Sequence, residues 1–124
     1  MDRLEALACA IASHNDWLEP DSIAFKLRNP GMLKAFKLTQ PMDAEQNRIF
    51  ESMVDGFQAL LFDLRTKCSG RSRSKLKQES TITDLMAVYG HGFSVAATVA
   101  LYLRKALGDP EITDKTPLSF FLSE

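Results

Sequence analysis

The sequence predicts a mainly α-helical α+β domain, with about six helices around a buried helix at residues 93–107 and a small β-hairpin near 34–50. Three observations lead there. Apolar residues recur at helical spacing through most of the chain. Residues that start and stop helices bracket those runs. The stretch from Phe93 to Leu103 has only Ser94, Thr98 and the Tyr102 hydroxyl as polar groups, the mark of a helix that other elements enclose.

Residues 2–14 open the chain as a helix. Leu4, Leu7, Ala8 and Ile11 fall on one face, and Asn15 and Asp16 are poor interior residues that end it. Pro20-Asp21-Ser22 starts a shorter helical segment over 21–28, which Pro30 ends by pushing its predecessor out of the α region. Pro30-Gly31 is a turn. Residues 39–47, with Pro41, read as a loop, and Arg48-Ile49-Phe50 is expected to pair back on 34–38. Ser52 and Asp55 have capping-box spacing before a helix running to Lys67. Phe57, Leu60, Leu61 and Leu64 form its apolar face, and Val54 and Phe62 widen it, so much of this helix is expected to be buried. Gly70 stops it. Thr81 and Asp84 repeat the capping spacing for a helix to Tyr89, which Gly90-His91-Gly92 breaks. Gly108 and Pro110 end the helix 93–107. Thr116-Pro117 matches a helix cap followed by proline at the first helical position, so Leu118, Phe120, Phe121 and Leu122 are expected to dock as a short terminal helix.

The 124 residues suit one domain, 1–124, with one core; 45% are hydrophobic and 25% charged, as in ordinary globular proteins. A net charge of −1 gives no global field toward nucleic acid or membrane. No apolar run approaches the roughly 20 residues of a membrane span. Asp2, Arg3 and Glu5 are unlike the positive front of a secretory signal, which points to the cytoplasm of the producing cell. Cys9 and Cys68 make no disulfide framework and read as small, partly buried thiols. With two distant histidines they supply too few ligands for a metal site, and no cofactor is expected.

Side-chain chemistry is densest from His14 to Phe36, where a histidine, an amide, carboxylates and the single tryptophan lie within six residues: His14, Asn15, Asp16, Trp17 and Glu19. Trp17 could stack on a sugar ring or fill the rim of the core. A second feature is electrostatic. Five of the 15 basic residues lie between Lys67 and Lys77, leaving ten against 16 acidic residues elsewhere. Arg71, Arg73, Lys75 and Lys77 read as a solvated loop or as a polyanion-binding one. No aromatics are interleaved, so stacking on nucleic-acid bases is unsupported and nucleic acid is not the expected partner.

In order, the chain offers His14-Asn15-Asp16-Trp17, Pro20-Asp21-Ser22 and Arg28-Asn29-Pro30-Gly31-Met32-Leu33-Lys34. Gly56-Phe57-Gln58-Ala59-Leu60-Leu61-Phe62-Asp63-Leu64, Ser69-Gly70-Arg71-Ser72-Arg73, Ser80-Thr81-Ile82-Thr83-Asp84-Leu85, Val88-Tyr89-Gly90 and Thr116-Pro117-Leu118 follow. This succession resembles the phage and prophage lysozyme-like domains of the lysozyme and lytic-transglycosylase superfamily, over nearly the whole chain. The resemblance implies a lysozyme-like fold acting on peptidoglycan or another glycan. It places Asn29, Pro30, Gly31 and Tyr89 along the glycan groove, near His14 and Trp17. It also allows release by lysis or a place among virion proteins.

The departures fall on the chemistry. Where such relatives carry the catalytic Glu, this chain has Asn15, an amide with no titratable proton. Met32 stands where Asn is usual, Ser94-Val95 replaces a polar Asn-Asp step, and Val99 replaces a Tyr. Two expectations follow. One is a catalytically impaired or inactive relative that binds glycan or serves as a structural component. The other is an active muramidase or lytic transglycosylase in which Asp16 or Glu19 serves as the acid. Asp16 sits about 100° round a helix from the Asn15 position, and its side chain is one methylene shorter than Glu.

Overall fold

The structure is a computed structural model and describes residues 2–123. It is mainly helical. The elements are α1 (Arg3–His14), α2 (Ile23–Lys26), α3 (Met53–Cys68), α4 (Ile82–Val88), α5 (Phe93–Leu107) and a terminal 3-10 turn (Leu118–Leu122). No helix among the described residues is long and apolar enough to cross a membrane.

The central helix is α1, which corrects the expectation that 93–107 is the enclosed one. Leu4, Ala6, Leu7, Ala8, Ala10, Ile11 and Ala12 are all buried, on every side of α1 except the stripe of Glu5, Cys9 and Ser13. Four of these are alanines, and small side chains let neighbouring helices close in from several directions. α3, α5 and the 3-10 turn pack on it, and α4 packs on α5. α5 buries one face, through Ala96, Val99, Ala100 and Leu103. Leu101 and Tyr102 remain exposed on the other, and Phe93 is exposed at the helix start. α3 is also less buried than expected: Gly56, Leu60, Leu64 and Cys68 face the core at four-residue intervals, while Val54 and Phe62 are about 70% exposed. Phe62 lies two residues past Leu60, about 200° round the helix, and therefore points away from the core.

The capping signals differ in strength. Thr81 and Asp84 form a full capping box, and Asp2 and Glu5 form one that starts α1. At α3 only half forms: Ser52 accepts from the Asp55 amide with no return bond. Ser22 caps α2 in the same one-sided way. The terminal segment begins at Pro117 with extended backbone and no side-chain cap. The Thr116 hydroxyl instead accepts from the Thr113 amide, so the predicted Thr116 cap is not realised.

Between α2 and α3 the chain forms a lobe, 29–50, without a strand ladder. The pairing expected between 48–50 and 34–38 reduces to an isolated antiparallel bridge, Lys34 with Asn47, with the Ala35 amide donating to Gln46 O at 2.7 Å and the Arg48 amide to Leu33 O at 2.9 Å. Pro41 cannot donate to a ladder, Gln46 has a left-handed φ of 66°, and Asp43 gathers the amides of Glu45 and Asn47 into a local turn.

Candidate ligand groove

The predicted acid region is the end of α1. Asn15 is the C-cap residue, Asp16 follows with a left-handed φ of 56°, and the Trp17 amide donates to Ala12 O while the Asp16 amide donates to Ser13 O. These two bonds define a Schellman closure with Asp16 at the position that glycine usually fills. Asp16 is thus held by helix termination, exposed and turned outward, instead of bending round into the place of an acid. The Asn15 side-chain amide donates to Pro30 O at 3.0 Å, tying the helix end to the 29–32 turn. Glu19 is exposed and its amide donates to Asp16 O. Trp17 is half-buried and stacked on Phe57, with ring centroids 5.5 Å apart, so much of its face is already occupied.

A left-handed backbone costs a non-glycine residue roughly 1 kcal/mol or more. Asp16→Gly is therefore expected to raise unfolding free energy by about 1 kcal/mol in urea denaturation. A loss of stability would refute this account of the helix end.

The 29–32 turn is structural. Asn29 is fully buried: its amide nitrogen donates to Leu33 O at 3.0 Å and Arg48 O at 2.9 Å, and its oxygen accepts from the Leu33 amide at 2.9 Å. Pro30 and Gly31 are buried too. A Cβ on Gly31 would meet Leu60 at 2.6 Å. Asn29, Pro30 and Gly31, expected along a ligand groove, are buried: Asn29 ties the two arms of the lobe together, and Pro30 and Gly31 pack against α3. Met32 has a left-handed φ of 49°, a conformation asparagine tolerates better than methionine.

The open surface begins one residue later. A groove of about 760 Å³ separates the lobe from α3 and the end of α4. Met32, Leu33, Lys34, Phe36, Gln40 and Arg48 form the lobe wall. Ala59, Phe62, Asp63 and Lys67 from α3, with Val88, Tyr89 and Gly90 from the end of α4, form the other. Phe36 and Phe62 are more than 70% exposed here. Between them lies a polar cluster: the Lys67 ammonium contacts both oxygens of Asp63 at 2.6 Å, and the Tyr89 hydroxyl donates to Asp63 Oδ2 at 2.5 Å. Burial first, then the Asp63 carboxylate, push the Tyr89 hydroxyl well above its usual pKa, so it stays a neutral donor. Of the expected substrate contacts, only Tyr89 lines this groove. Phe62, Asp63 and Lys67 were detectable in principle, because with Ala59 they lie along the flank of α3 beside the core positions Leu60 and Leu64.

The remaining candidates lie elsewhere. His14 is exposed and meets His91 edge-to-face, centroids 4.9 Å apart; burial and the neighbouring His14 lower the His91 pKa. Arg71, Arg73, Lys75 and Lys77 are all exposed on a loop anchored by buried Leu76. Cys68 is buried and its thiol is pushed up to about 12, mainly by desolvation, while half-buried Cys9 is raised by desolvation and Glu5; both are free. Among the described residues, no three His, Cys, Asp or Glu side chains come together as a metal cage would require. No family model, curated protein sequence or solved structure matches this chain.

Proposed function

We propose that this domain is a lysozyme-like relative that binds glycan, with cell-wall peptidoglycan the first candidate, and does not cleave it. The observation that carries the reading is the groove itself, whose exposed Phe36 and Phe62 flank the Asp63–Lys67–Tyr89 cluster. Sugar rings present apolar C–H faces and polar edges, and a cleft with exposed aromatics beside fixed polar groups matches both. The absence of cleavage is argued from the helix end. Glycosidic cleavage in such enzymes calls for a carboxylic acid held protonated at the scissile bond. At the corresponding position Asn15 supplies an amide tied to Pro30, and Asp16 is engaged in helix termination.

The test is co-sedimentation with purified sacculi together with an assay for released muropeptides. The native chain is expected to pellet with sacculi and to release nothing between pH 4 and pH 8. Phe62→Ala is expected to weaken binding about tenfold, the equivalent of roughly 1.4 kcal/mol from a lost ring contact. Muropeptide release by the native chain would overturn the non-catalytic part. Failure to pellet on sacculi would overturn the choice of glycan.

A further inference from the structure

The two walls of the groove differ in charge. The lobe wall carries Lys34 and Arg48 and no carboxylate, while the facing wall carries Asp63 and Lys67 paired with each other. That pair is the only ion pair among the described residues. The Lys34 ammonium donates to a neutral acceptor, the Glu45 carbonyl, at 3.1 Å. The Arg48 guanidinium lies over the Phe50 ring, 4.5 Å from its centroid. Stacking uses the face of a guanidinium and leaves its in-plane N–H groups able to fork onto a carboxylate. The two cations come from neighbouring backbone, since Lys34 bridges to Asn47 and the Arg48 amide donates to Leu33 O. A chain of net charge −1 thus sets two cations, neither in an ion pair and only Lys34 with a carboxylate, Asp43, close by, along one side of a groove whose other side exposes Phe62.

We propose that the groove selects acidic glycans, with sugar carboxylates meeting Lys34 and Arg48 while the ring lies against Phe62. This rests on the glycan reading above and adds the substrate class. A neutral sugar would give neither cation a negative partner in the groove. An acidic sugar replaces their water with charge-assisted bonds, at a surface where salt screens the attraction.

The test compares a matched pair of probes, oligogalacturonate and its fully methyl-esterified form, which share a backbone and differ in the methyl group that removes each charge. Titration at 50 mM and 300 mM salt is expected to show about tenfold tighter binding of the acidic form at low salt, shrinking at high salt. Lys34→Gln and Arg48→Gln should each reduce that preference while an unchanged amide spectrum confirms the fold. Phe62→Ala should weaken both forms by the same factor. Equal binding of the two forms overturns the inference and leaves glycan binding standing. Binding of neither form also overturns it, and sacculi pelleting then decides separately whether the glycan reading survives.

Discussion

Gly56→Ala is expected to destabilise the protein by about 2 kcal/mol, with the opposite sign to that of helix propensity. In an exposed helix interior the same exchange adds up to about 1 kcal/mol, because alanine loses less backbone entropy. Gly56 is buried inside α3, and an added Cβ would lie 2.0 Å from Arg28 O and 2.8 Å from Pro30 Cδ. Neither obstacle is the free end of a side chain. Arg28 is held with a left-handed φ of 53° after α2, where its amide donates to Phe25 O and the Asn29 amide to Ala24 O, and its Nε donates to Phe50 O. Relieving the clash means lifting the 28–30 turn off α3 and breaking these bonds, and overpacking of this kind costs about 1–3 kcal/mol before propensity is counted. Gln58, exposed two residues further along α3, provides the control. There the alanine variant should be about 1 kcal/mol more stable than the glycine variant. Urea denaturation of all three variants measures both orders, and a Gly56→Ala protein as stable as the native chain would refute the close packing. The lobe wall of the groove follows directly on this turn, so the proposed glycan binding should fall as well.

The sequence is most legible where its signals are local. Ser22, Ser52 and Thr81 each accept from the amide three residues on, and Gly108 ends α5 in the left-handed conformation. The Asp2-to-Glu5 spacing at the start of α1 belongs to the same class of signal. What misleads is counting apolar residues without asking which helix face carries them. α5 has large apolar side chains all round and is still half exposed. α1 relies on alanines, weakly apolar yet small enough to be surrounded. The lobe is overread as a hairpin because Arg48-Ile49-Phe50 follows a polar loop that could return it to 34–38, whereas Pro41 and the turn around Asp43 direct the backbone elsewhere.

The groove is hardest to foresee. Its walls come from residues 32–48, 59–67 and 88–90, which only the packing of the helices brings together. The His14–Glu19 cluster attracts notice because its chemistry is dense along the chain, but density in sequence is not convergence in space. Asn15 and Asp16 terminate a helix, and the polar groups that do converge, Asp63, Lys67 and Tyr89, span 26 residues between the first and the last. Tyr89 enters the sequence reading only through resemblance.

Asn29→Ala is expected to cost about 3–5 kcal/mol and to abolish the groove with it. Asn29 is 0% exposed, and its side chain makes three hydrogen bonds to backbone on both arms of the lobe. Without it Leu33 O keeps the Arg48 amide as a donor, but the Leu33 amide and Arg48 O lose these partners, and each unsatisfied buried group costs about 1–3 kcal/mol. Leu33 precedes one of the groove's cations and Arg48 is the other, so binding should disappear in any fraction that stays folded. Asn29→Asp separates hydrogen bonding from packing, because it preserves shape. Its ionised carboxylate can accept from the Leu33 amide but faces the two carbonyl oxygens to which Asn29 now donates. Protonation restores one donor and removes a buried charge, so the folded state should bind the proton more tightly than the unfolded chain, whose carboxyl titrates near about 4. The folded state then holds more protons over that range, so the variant's stability relative to the native chain must fall as pH rises from about 4 toward 7. Urea denaturation at both ends of that range measures it. Equal stability of Asn29→Asp and the native chain at pH 7, or a difference that narrows as pH rises, would show that Asn29 does not hold the lobe together through donated hydrogen bonds.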